Sequence, residues 1–135
     1  MNNISHAILR TLAEHYSALA FSTPCKFYPE SNQGKKERPC VVFIAEEEEF
    51  LHPRLFSVVI NAELETSMDD TDPANAAEVV REISDYECQA MQSIAAAGTG
   101  RWNLRKMQTN NTSSQPEGDR SRIWVTGWKL WIREF

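Results

Sequence analysis

A chain of 135 residues with 41% hydrophobic and 24% charged side chains is long enough for one domain with its own core, and too rich in apolar residues for disorder. No apolar run reaches membrane-spanning length, and Met1 leads into a polar amphipathic segment, so the expectation is a chain folded in the cytosol without membrane contact. The formal net charge of -5 weighs against a dedicated nucleic-acid surface.

Ile4, Ile8, Leu12, Tyr16 and Leu19 recur at helical spacing, which predicts a helix ending before Pro24. Cys25 to Tyr28 reads as a short strand, and the polar run "PESNQGKKER" as a loop. A strand from Pro39 to Glu46, a turn near His52 and Pro53, and a strand from Leu55 to about Thr66 follow. In the last, Phe56, Val58, Ile60, Ala62 and Leu64 alternate with Ser57, Asn61, Glu63 and Glu65, predicting one buried and one wet face. Asp72 as cap, Pro73 at the first turn and Gly98 at the end frame one helix whose stripe is Ala76, Val79, Val80, Ile83, Tyr86, Ala90, Met91 and Ile94. A strand from Trp102 to about Thr109, a polar loop "NNTSSQPEGD" and a final strand from Arg120 to Phe135 complete the chain. The plan is a single α+β domain over 1–135: one mixed or mainly antiparallel sheet, with an N-terminal and a central helix packed on it. Ile8, Leu12, Val42, Val58, Ile60, Val80, Ile83, Met91 and Trp128 are expected in a common core.

Charge is unevenly placed. Residues 46–72 hold nine acidic side chains against Arg54, whereas residues 101–135 hold seven basic ones against Glu117, Asp119 and Glu134. Such a division suits attraction between copies or to an oppositely charged partner. The four consecutive glutamates, Glu46 to Glu49, with His52 raise the question of a catalytic or metal centre. Neighbouring strand residues point to opposite faces, so the carboxylates diverge, and four solvated glutamates lack the environments that separate an acid from a base. A solvated strand end or loop is the simpler reading. His6 and His15 are nine residues apart on one helix, Ser5 beside His6 reads as a solvent-facing neighbour pair, and "GTG" at Gly98–Gly100 follows a helix where a phosphate loop precedes one. Cys25, Cys40 and Cys88 read as buried thiols with no disulfide framework. No catalytic constellation, cofactor site or metal site is expected.

The final strand, "RIWVTGWKLWIREF", is apolar on both faces: Trp124, Trp128, Leu130 and Ile132 on one, Ile123, Val125 and Trp131 on the other. It reads either as a central strand or as one covered by a second subunit, with Gly127 able to admit a bulge. Stacking of single-stranded nucleic acid on the tryptophans is a third reading.

The order of elements, with "PCVVFIAEEEEFLHPRLFSVVINAELET", an acidic turn, a helix over the sheet and a terminal "WKLWIREF" strand, resembles the tail terminator (minor tail, tail completion) proteins of long-tailed phages. The resemblance covers Ile4 to Phe135 and rests on layout. It implies a structural virion protein of the tail, assembled in the host cytoplasm, that forms a ring, typically of six subunits. The ring caps the tail tube, ends its growth and presents a surface to the head-completion protein. Arg101, Arg105, Lys106, Arg120, Arg122, Trp124 and Trp131 are then candidates for a subunit or partner interface, and Glu46, Glu47, Glu48 and Glu49 for an acidic lumen that repels DNA. Stable nucleic-acid binding is not expected. The competing class is a small oligomeric binding module, including one for single-stranded nucleic acid.

Overall fold

This computed structural model describes residues 3–30, 34, 37, 39–67, 73–117 and 121–135, with the side chains of 66, 67, 73–76, 110–117 and 121–125 outside the description. The chain runs α1 (Asn3–Ser17), β1 (Lys26–Pro29), β2 (Cys40–His52), β3 (Leu55–Ser67), α2 (Pro73–Asp85), α3 (Glu87–Ala97), β4 (Trp102–Glu117) and β5 (Ser121–Glu134). The strands form one mixed sheet in the order β1-β2-β3-β5-β4, an α+β architecture. β1 lies parallel to β2, and every other pairing is antiparallel.

The period-two pattern of β3 decides which face is covered. Phe56, Val58, Ile60, Ala62 and Leu64 are buried, and the ladder sets Ile132, Leu130, Trp128 and Thr126 of β5 beside the first four. Val41 and Phe43 of β2 join the same cluster, as do Ile8, Leu9, Leu12, Ala13 and Tyr16 of α1, Val79, Val80 and Ile83 of α2, and Ala90 and Ile94 of α3. The three helices described therefore cover one face, and among the described residues the other face carries no helix.

Tyr16 stands at the centre of this layer. Its ring stacks with Phe27, Phe43 and Trp128 at centroid separations of 5.7, 5.6 and 6.4 Å. Its hydroxyl donates to the Ile83 carbonyl at 2.7 Å, and burial among these groups, together with the Glu87 charge, pushes its pKa up. That bond also explains why the central helix is two helices. In an unbroken helix the Ile83 carbonyl would accept from the Glu87 N–H, and a side chain inserted into this ladder is a known cause of a break. The chain turns at Tyr86, with φ -93° and ψ 7°, and α3 starts at the next residue.

Several expectations are corrected. β2 runs through the glutamates to His52, because β3 continues to pair with it as far as Leu55. β4 runs on to Glu117 through the polar stretch expected as a loop, its backbone paired with β5 to Ser121, so ladder formation overrides weak strand propensity. Gly127 carries no bulge: β3 and β5 pair without a shift, and the extra residue lies in β4, between Asn110 and Ser113. A Cβ at Gly127 would sit 2.3 Å from the Ile60 carbonyl oxygen, so close strand approach is its reason. Met91 is 40% exposed at the margin of the α3 stripe, and Val42 is buried on the helix-free face, outside the common core. Ser57, on the face expected to be wet, is buried between Glu49 and Trp131 in the ladder. Asp72 and residues 31–33, 35, 36 and 38 of the "PESNQGKKER" stretch lie outside the described residues.

Ile83 and Met91 test this layer jointly. Ile83→Ala should cost about 2–5 kcal/mol in chemical denaturation, as a fully enclosed side chain does, whereas Met91→Ala should cost less than about 1 kcal/mol. Equal losses would contradict the layer as described.

Candidate interaction surface

The glutamate run sits on a distorted part of β2. Glu46 pairs with Val59 and Glu49 with Ser57, so Glu47 and Glu48 together oppose one residue of β3. This is a β-bulge, and Glu47 adopts φ 47°, the left-handed region that side chains disfavour. The four carboxylates consequently part company. Glu46 accepts from the Asn61 amide at 3.0 Å on the helix-free face, while Glu48 turns to the helical side and accepts from the Ser5 hydroxyl at 2.6 Å. Glu47 and Glu49 are exposed. Ser5, expected to face solvent, is thus fully buried as the partner of a strand carboxylate, a role helical spacing alone could not reveal.

A basic cluster lies at the same end of the sheet. His52, Leu55, Arg133 and Asn103 form one row across β2, β3, β5 and β4. On either side of it the edge strands each hold one extra residue, Leu51 in β2 and Arg105 in β4. Arg54, Arg105 and Arg133 line two clefts of about 410 and 290 Å³, the first shared with Asn103, Glu134 and Phe135, the second with His52 and Leu55. The Arg54 carbonyl accepts from the Glu134 N–H at 2.7 Å, and the Arg101 carbonyl from the Phe135 N–H at 3.0 Å, which ties the turn and the strand ends together. No ion pair to any of the three arginines is found among the described residues. Phe135, exposed by 64%, lines the first cleft, and Phe50 and Leu51, exposed by 65% and 47%, precede His52 on β2. Arginine beside exposed aromatic side chains is a composition typical of interface hot spots.

The candidate interface residues divide accordingly. Arg105 joins Arg54, Arg133 and His52, and Lys106 follows it on the outer strand. Arg101 donates to the Ala97 carbonyl and caps α3. Trp131 is half-buried with the Lys106 and Lys129 ammonium groups 5.0 and 5.2 Å from its ring centroid. Arg120 lies outside the described residues, as do the side chains of Arg122 and Trp124. Arg54 and Arg133 were missed in the sequence because they come from a turn and a strand end far apart in the chain, and only the ladder joins them.

Other groups are accounted for within the fold. Trp128 is buried and donates its indole N–H to Glu87 at 3.1 Å, and Glu87 also accepts from the Thr109 hydroxyl at 3.0 Å. The His15 ring lies 3.1 Å from the Ser93 hydroxyl, and burial lowers its pKa. Cys40 is buried, and burial pushes the Cys25 thiol up to about 12, whereas Cys88, expected to be buried, is exposed on α3. A shallow cleft of about 600 Å³ between α1 and β1 has Arg10 and Glu14 as its charged residues, beside Phe27 and Pro29. Among the described residues no three of His, Cys, Asp and Glu are grouped to hold a metal ion.

The bulge makes a measurable prediction. A side chain in the left-handed region costs roughly 1–2 kcal/mol, and glycine's extra chain entropy roughly 0.5–1. Glu47→Gly should therefore leave stability unchanged or raise it by up to about 1.5 kcal/mol in urea denaturation. A loss above about 1 kcal/mol would contradict the assigned backbone.

No model of a known protein family matches this sequence, and no curated protein matches it.

Proposed function

We propose that this chain is a structural subunit that assembles head to tail into a ring, and that the ring is a phage tail terminator that caps the tail tube and joins it to the head. The observation that carries this reading is the distribution of charge over the sheet. An exposed acidic bulge on β2 lies at one edge of a sheet end, and Arg105 of β4 and Arg133 of β5, exposed and without an ion pair among the described residues, lie toward the other, with exposed Phe50 and Leu51 on β2 and exposed Phe135 at the end of β5. Two unlike, complementary patches suit a contact in which one surface of a subunit meets a different surface of the next, the kind of contact that closes rings. The tail-terminator assignment adds the resemblance in layout from Ile4 to Phe135. The tail tube protein and a head-completion protein are then the partners.

The competing nucleic-acid reading would place a base on Trp131, the half-buried tryptophan of the helix-free face. Two lysine ammonium groups already lie against that ring, and Trp128 is enclosed in the core.

Tail tubes assembled without a terminator provide the test. Added protein should stop their elongation and appear in electron micrographs as a ring at one end. Tubes that keep growing with bare ends, together with tryptophan quenching by a single-stranded oligonucleotide, would replace this reading with the competing one.

A further inference from the structure

The sheet leaves two edges without a strand among the described residues. β4 is the last strand on one side. On the other side β1 covers β2 only from Cys40 to Phe43, and the chain leaves the sheet there: the Glu30 N–H donates to the Phe43 carbonyl, and the Glu30 carboxylate accepts from the Ala45 N–H. Beyond that point the outer side of β2 from Glu46 to His52 has no strand beside it. Free edges of this kind are templates for pairing with another chain.

The two edges match at the level of single rows. Glu49, Ser57, Trp131 and Lys106 form one continuous row across β2, β3, β5 and β4, so an acidic residue stands at one end and a basic one at the other. The neighbouring row is Phe50, Phe56, Ile132 and Leu104, which puts an exposed aromatic at the β2 end and a half-buried leucine at the β4 end. Arg105, the extra residue of β4, lies between these two rows. Strand direction also agrees. Three successive antiparallel pairings leave β4 running opposite to β2, so a copy displaced sideways across the sheet brings two antiparallel edges together.

We infer that the Glu46–His52 edge of β2 in one copy pairs antiparallel with β4 of the next, placing Glu49 by Lys106 and Phe50 by Leu104. The partner is a second copy of this chain, and the inference rests on the head-to-tail reading proposed above. Like edges are kept apart by the same charges: two β2 edges would oppose carboxylates, and two β4 edges would oppose Arg105 and Lys106. The contact is therefore directional.

Charge reversal tests the pairing. One variant carries Glu47→Lys and Glu49→Lys, a second Arg105→Glu and Lys106→Glu, and a third all four changes, each checked for a wild-type circular dichroism spectrum. Assembly is read by light scattering and native mass measurement, with and without tail tubes. Either single-edge variant should associate at least tenfold more weakly than the wild type, whereas the fourfold variant, and an equal mixture of the two single-edge variants, should recover it. The neutral pair Glu47→Gln and Glu49→Gln should fall between, which keeps the test open if a reversed chain does not fold. Single-edge and neutral variants that assemble like the wild type would overturn the edge assignment, leave the ring reading intact and return the glutamates to the lumen. A wild-type chain that stays monomeric with tubes present would remove both.

Discussion

The hydroxyl of Tyr16 on the Ile83 carbonyl is the contact on which the helical layer depends. It fixes α1 to α2 in the middle of an aromatic stack, and it takes the acceptor that an unbroken central helix would use internally. With α1, α2 and α3 all committed to one cluster, the sheet keeps, among the described residues, a helix-free face and two bare edges. A buried hydroxyl bonded to a helix carbonyl is worth more than its net energy suggests, because breaking it strands a polar group in an apolar layer.

Bare edges have to be managed, and here the devices are charge and bulges. Glu47 and Glu48 distort β2, Arg105 distorts β4, and a further extra residue lies between Asn110 and Ser113. Both devices normally discourage strand addition. Their signs differ between the two edges, so in the proposed pairing general repulsion would become a choice, each edge rejecting its own kind and accepting the other. In that pairing, exposed Phe50 and Leu51 would contribute the apolar area that charge alone does not supply.

Much of the fold was legible in the sequence where periodicity was clean. The alternation of Phe56 to Leu64 gave the buried face of β3, the stripe through Ile8, Leu12 and Tyr16 gave α1, and Val79, Val80 and Ile83 gave the packed side of α2. Legibility ended where a partner strand decides. "EEEEFLH" and "NNTSSQPE" are poor strand formers by composition, and they are strands because β3 and β5 offer ladders to them. The break at Tyr86 has no glycine or proline to announce it, since its cause is the Tyr16 hydroxyl on the Ile83 carbonyl, a contact between residues 67 positions apart in the chain. At the candidate surface, the opposition of acidic and basic segments could be read directly, but simple alternation puts Glu46 and Glu48 on one face, and the bulge that sends them to opposite faces could not be read. The gathering of Arg54, Arg105 and Arg133 could not, because it is a product of strand order.

Backbone hydrogen exchange on the free edges is the most direct measurement of how copies meet. The outward-facing amides of Glu46–Leu51 and of β4, those not bonded to β3 and β5, should exchange quickly in the dispersed chain and become protected together on assembly, while those of β3 stay protected throughout. Assembly that leaves both edges exchanging at the dispersed rate would contradict edge-to-edge association.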